Sequence, residues 1–171
     1  MRFFTPLLAL LPVAFAQING TNGIGSTPSQ RYVINSTQAQ TIIAAAVKNA
    51  TALNIPQNIA VVNPSGLMVA FLAMDNAYPG SIDISQKKAR TAVLFNGIPS
   101  GGLYAGAQPG ASVYGIEETN GGLVVFGGGF PIYVDGRLIG GVGVSGGTVE
   151  QDISVSMAGV LGLGASPSAP S

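Results

Sequence analysis

Apolar residues recur at helical spacing in one early segment and gather into short runs elsewhere along the chain. Ile42, Ile43, Ala46, Val47, Ala50 and Leu53 fall on one face of a helix, with Thr37 and Gln40 spaced as a capping box in front of them. Asn54 and Pro56 stop that helix. Ile59 to Val62 and Leu67 to Ala73 are β-prone runs separated by Asn63-Pro64-Ser65-Gly66, which is turn chemistry, so they predict an antiparallel hairpin central to a sheet. After the loop Met74 to Gly80, Ser81 or Asp83 is placed to cap a helix running to about Phe95. The aliphatic stems of Lys87 and Lys88 are expected on its surface, and Asn96-Gly97 and Pro99 end it.

The second half is denser in glycine. Ser100 to Ala111 has no periodicity and reads as a loop, with a mobile pocket wall as its functional alternative. The apolar run Leu123 to Phe126 predicts a strand. Ile132 to Val134 and Arg137 to Ser145 predict a hairpin about Asp135-Gly136, a dipeptide suited to a two-residue turn with positive φ at both central positions. Gly140, Gly141 and Gly143 inside that last strand point to a bulge or to close approach of another backbone or a ligand. Thr148 and Gln151 then form a second capping box at the head of a closing helix, with Glu150 and Asp152 in its first turn, where acidic groups suit the helix dipole. Hairpins interleaved with helices predict an α+β fold, an antiparallel sheet with helices packed on it.

Composition narrows the setting. Arg2, the apolar stretch Leu7 to Phe15 and Ala14-Phe15-Ala16 read as a signal peptide over residues 1–16, too short to span a bilayer. A flexible arm is expected over residues 17–32, a single domain over 33–163 and a disordered tail over 164–171. The expected localisation is secreted and extracellular. Without Arg2 the side chains carry one more acidic than basic group, so no basic field invites nucleic acid or an anionic membrane. Few charges and many glycines suggest a smooth apolar surface suited to homo-oligomer contacts. Cysteine and histidine are both absent. Stability therefore rests on burial and hydrogen bonding, and His- or Cys-based metal sites and Ser-His-Asp chemistry are excluded.

Asn19, Asn35 and Asn49 each head a glycosylation sequon. Three constellations could carry chemistry. The N–H groups of Ser145-Gly146-Gly147-Thr148 could hold a carboxylate or phosphate at a helix start, against a plain capped turn. Glu150 and Asp152, two residues apart, do not face each other on a helix. Asp75 with Lys87, Lys88 and Arg90 could form a salt bridge, a polar floor or, if burial lowered a lysine's pKa, a proton-transfer pair.

The segment GGGFPIYVDGRLIGGVGVSGGTVEQD, together with Leu67-Met68-Val69-Ala70, Met74-Asp75-Asn76-Ala77, Ser81 and Lys87-Lys88-Ala89-Arg90-Thr91-Ala92, resembles the GlcG/HbpS-like family of haem-binding or haem-degrading domains. The resemblance covers roughly Val33 to Leu163. It implies a profilin-like α-β-α sandwich that often forms homo-oligomers, and a haem or another small planar or acidic ligand. With no histidine, Tyr104, Tyr114, Tyr133, Met68, Met74 or a lysine would have to serve a haem iron, or the iron would lack a strong axial bond. The leading expectation is a secreted small-molecule-binding protein. Its pocket would be built from Gly128, Gly129 and Pro131, from Ser145, Gly146, Gly147 and Thr148, and from Ser81. One alternative is a cofactor-independent isomerase or lyase using Asp75, Lys87, Glu150 and Asp152. The other is a purely structural assembly protein.

Overall fold

The computed structural model describes residues 32–169; the expected signal peptide and Asn19 lie outside them. Helix α1 (Ser36–Ala52) is followed by strands β1 (Asn58–Val62) and β2 (Met68–Ala73), helix α2 (Gly80–Leu94), strands β3 (Gly129–Val134) and β4 (Arg137–Ser145), and helix α3 (Val149–Gly162). The strands pair antiparallel in the order β2-β1-β4-β3. The α+β expectation therefore holds, and the layers form an α-β-α sandwich. β1 is central as expected, but β2 is an edge strand with Met68, Phe71 and Ala73 exposed.

The two faces of the sheet follow from alternation along the strands. Ile59 and Val61 of β1, with Val142 and Val144 of β4, bury into one core with Ile42, Ile43 and Ala46 of α1 and Val155 and Val160 of α3. Each such aliphatic side chain contributes about 1.5–3 kcal/mol when fully buried. Ala60 and Val62 point the other way, onto Ala89 and Val93 of α2. On that side β4 presents Gly141 and Gly143. A Cβ on Gly143 would run into the backbone of Ser85 and Ala89, and one on Gly141 into Ala89 O and Val93. Gly141 and Gly143 thus serve the close approach of α2, whereas a Cβ on Gly140 would meet Val62 O and Ile34, and the β3–β4 register also slips between Ile132 and Tyr133.

Local signals differ in how they resolve. Asp135 and Gly136 adopt φ of 49° and 74°, as the hairpin turn requires. Thr148 and Gln151 form the capping box of α3. The box of α1 is made instead by Asn35 and Gln38, two residues ahead of Thr37 and Gln40. α2 starts at Pro79 with no side-chain cap: Ser81 lies within its first turn, where its hydroxyl donates to Tyr78 O, and Asp83 pairs with Lys87. Leu123 to Phe126 forms no strand. Leu123, Val124 and Val125 are buried outside the sheet ladder, and Val124 N–H donates to the Thr91 hydroxyl. Ser100 to Leu103 and Ala105 to Ala107 are short 3₁₀ turns in the Gly-rich segment. The start of the expected disordered tail is held: Ser166 exchanges both backbone hydrogen bonds with Tyr133, and Ala165 is buried.

Candidate ligand groove and buried ion pair

α2 places Ser81, Ser85, Lys88, Ala89 and Ala92 toward the interior. Lys88 is the charged member of this otherwise small or uncharged set, and it is fully buried, contrary to the expected surface placement. Its Nζ donates to Asp152 Oδ2 at 2.5 Å and to Val144 O at 3.1 Å, and sits 4.7 Å from the centre of the Phe126 ring. Asp152 Oδ1 accepts from Gly147 N–H at 3.0 Å. The Gln57 amide also faces this carboxylate but makes no hydrogen bond of standard geometry. Burial pushes the Lys88 ammonium below its ordinary range, opposed by the Asp152 charge and hydrogen bond. It pushes the Asp152 carboxyl up, opposed by Lys88 and Gly147. Gly128, at φ 112°, covers the pair: a Cβ there would lie 2.8 Å from Lys88 Nζ, from Asp152 Cβ and from Val144 O.

The outer side of the Phe126 segment forms an open groove of about 420 Å³ lined by Gly101, Tyr104, Phe126, Gly127, Val149, Glu150 and Ile153. Its lining is mainly apolar and aromatic, the make-up of small-molecule sites. Glu150 is its one charged lining residue. Its carboxyl is held below the usual range by its own backbone N–H and the Thr148 hydroxyl.

The family model described as haem degrading protein HbpS-like matches residues 34–161. The chain belongs to the HbpS-like family. An uncharacterized 15.0 kDa protein of Citrobacter freundii is 43% identical over 127 residues, 68% of this chain and 88% of its own length. The corrinoid adenosyltransferase PduO of the same organism is 37% identical over 120 residues, 70% of this chain; the match spans only 36% of that longer protein. A crystal structure described as a PduOC:heme complex superposes with a TM-score of 0.75 at 33% identity, covering 80% of this chain and 99% of the other.

Within this HbpS-like domain the expected site residues are dispersed. Gly128 and Gly129 are buried against α2, and Pro131 is buried within β3. Ser145 and Ser81 meet through Asn58, which pairs with Ser145 in the ladder and donates to the Ser81 hydroxyl at 2.6 Å; both serines are buried. Of the expected anion-holding donors at the head of α3, those of Gly147 and Thr148 are already engaged. Gly147 N–H goes to Asp152, Thr148 N–H to Gln151 Oε1 and Gln151 N–H to Thr148 Oγ1. A Cβ on Gly146 would strike Pro56 O and Gln57.

Asp75 is exposed at the end of β2, Lys87 pairs at 2.8 Å with Asp83, Glu150 is exposed and Asp152 is buried. The four acid/base candidates therefore do not converge, and the Asp75–lysine constellation does not form. Arg90 donates instead to Asn120 O. Asn35 is exposed but caps α1, while Asn49 lies within α1 and accepts from Ser154 at 3.4 Å. Of the tyrosines and methionines weighed as iron ligands, Tyr104 lines the groove; Tyr133 is buried, Met74 packs on the core, and Tyr114 and Met68 are exposed. Sequence reading missed Phe126, Val149 and Ile153 as groove residues, and Lys88 as a buried one. The signal for Lys88 was its place on the small-residue stripe Ser81-Ser85-Ala89-Ala92.

Proposed function

We propose that this chain is a secreted small-molecule-binding protein whose groove, walled by Tyr104, Phe126, Val149 and Ile153, takes a flat, largely apolar ligand. The observation that carries the reading is this concavity lined by the aromatic Tyr104 and Phe126 beside Val149 and Ile153. Haem is the first candidate, because a structural relative is described as a heme complex. The residues present suit the flat ring, and the Tyr104 phenol is the side chain available to the iron. Tyr104, Phe126, Val149 and Ile153 would hold the ring; a bound haem would supply redox-active iron.

Export is supported by Arg2, the apolar stretch from Leu7 and Ala14-Phe15-Ala16. Self-association is supported by the uncharged edge strand β2 and by a second apolar groove of about 420 Å³ beside it, lined in part by Ile43, Val47, Ala70 and Phe71. Titration of the protein with hemin tests the ligand reading. A saturable shift of the Soret band at micromolar hemin, lost when Val149→Trp fills the groove, is the expected result. No shift, or one indifferent to Val149→Trp, rejects it.

A further inference from the structure

We propose that Asn35 carries an N-linked glycan on the amide nitrogen that its helix cap does not use, and that Asn49 stays bare; this rests on the reading of the chain as exported. Asn35-Ser36-Thr37 and Asn49-Ala50-Thr51 are both sequons among the described residues, so the sequence does not choose between them. Their surroundings in the fold differ.

Asn35, Ser36 and Thr37 are all exposed where the chain enters α1. The residues just before them are anchored. Ile34 is buried and its N–H donates to Ile139 O at 2.8 Å, while the Tyr32 ring stacks with Arg137. Asn35 itself has an extended backbone, with φ −93° and ψ 170°. Its Oδ1 accepts from Gln38 N–H at 2.9 Å and so caps α1, while its Nδ2 makes no hydrogen bond among the described residues. Nδ2 is the atom that takes a glycan. In the transfer it attacks the anomeric carbon of a lipid-pyrophosphate-linked oligosaccharide, the donor used in the secretory compartment. A C–N bond forms, the C–O bond to pyrophosphate breaks with its electron pair leaving on the lipid pyrophosphate, and one amide proton passes to a base of the transferase. The product keeps the carbonyl oxygen, so one side chain can hold the sugar and cap the helix together.

Asn49 is placed otherwise. It lies inside α1, half-buried, and accepts from Ser154 of α3 at 3.4 Å, and Ala50 beside it is fully buried. A sugar there would have to emerge from the seam between two packed helices. A glycan at Asn35 also stays clear of the ligand groove. Asn35 adjoins Ile139, near the start of β4, whereas the groove residues Val149 and Glu150 follow the end of that strand at Ser145. The strand between Ile139 and Ser145 spans about 20 Å.

The test is the full chain secreted from yeast behind its own leader. Trypsin, cutting after Arg31, Lys48 and Lys87, places the two sequons in separate peptides, 32–48 and 49–87. A peptide N-glycosidase acting in heavy-oxygen water turns each occupied asparagine into a labelled aspartate. Label in 32–48 and none in 49–87 is the expected result. Thr37→Ala should abolish the label and the glycan mass, and should unfold in urea together with the enzymatically stripped protein, because asparagine and aspartate cap alike. Thr51→Ala should leave the glycan mass unchanged. Secreted protein with 32–48 unlabelled overturns the site, and label in 49–87 overturns the choice between the two. A chain held inside the cells rejects the export reading instead; the same chain behind a proven leader then decides Asn35 by the same two peptides.

Discussion

Lys88 Nζ and Asp152 Oδ2 lie 2.5 Å apart with both side chains buried, and they belong to helices on opposite faces of the sheet. The pair passes the sheet at the corner where β4 ends and Gly128 leads into β3, so it ties the two outer layers across the middle one. Two charges taken out of water are costly, and their mutual attraction offsets that cost only while both are present.

Removing either partner alone should therefore be severe. Lys88→Met and Asp152→Leu are each expected to lower the unfolding free energy by about 3–5 kcal/mol, because each strands the other group. The double variant Lys88→Met with Asp152→Leu should recover most of that loss, since an apolar pair of similar volume carries no desolvation penalty. Urea unfolding of the three variants measures it; additive losses in the double variant would contradict the coupling.

Tyr133 supplies a pH signature. Burial pushes its phenol above the ordinary 10.0, and its hydroxyl reaches Asn96 O at 3.4 Å. A folded-state pKa above the unfolded one gives a stability contribution that is complete below pH 10.0 and lost as pH rises through the folded value. Alkaline titration followed by phenolate absorbance should show one late step that coincides with loss of helical circular dichroism. Tyr133→Phe should delete that step.

Gly143 and Gly80 make a matched contrast. An alanine at 143 would push into the backbone of Ser85 and Ala89, so Gly143→Ala should destabilise by about 3 kcal/mol or more, the upper range for overpacking. Nothing lies within 4 Å of a Cβ at Gly80, in the first turn of α2, and Gly80→Ala should stabilise by about 0.4–1 kcal/mol through the unfolded chain. Thermal unfolding distinguishes the two signs.

The caps offer a finer discrimination. Asn35→Ala and Thr148→Ala should each cost about 1 kcal/mol, because each removes the acceptor of an otherwise orphaned helix N–H. Thr37→Ala should be close to neutral, since in α1 the bond seen at Thr37 comes from Thr41 to its backbone carbonyl. Equal losses at Asn35 and Thr37 in urea unfolding would return the cap to Thr37.

Much of the architecture was legible because it is written in local chemistry. The Asp135-Gly136 turn, the Thr148–Gln151 box and the two β-hairpins need only near neighbours. What escaped was set by tertiary contact. Asn35 and Thr37 are both good caps, and Asn35 was selected where Ile34 joins β4 through Ile139 O. Leu123 to Val125 has the composition of a strand but finds no ladder: it is buried beside α2, where Val124 N–H meets the Thr91 hydroxyl. Lys87 and Lys88 are indistinguishable in composition. One turns out to meet Asp83 a turn earlier, and the other turns in to meet a residue 64 positions away. The groove was half-visible: Gly127 and Glu150 lay within the segments singled out, but Phe126, Val149 and Ile153 passed as ordinary packing residues.

The bare backbone that β4 offers to α2 also governs how this chain can vary. Gly143 has no smaller replacement, and Ser85 and Ala89 opposite it are already short. A methyl group added on the strand side has to lift the whole helix, and Lys88 would rise with it, drawing its ammonium away from Asp152 and loosening the backing of Phe126. Drift at a silent-looking glycine in the sheet would in this way reach the Phe126 wall of the groove, though only at a heavy cost to the fold that carries it.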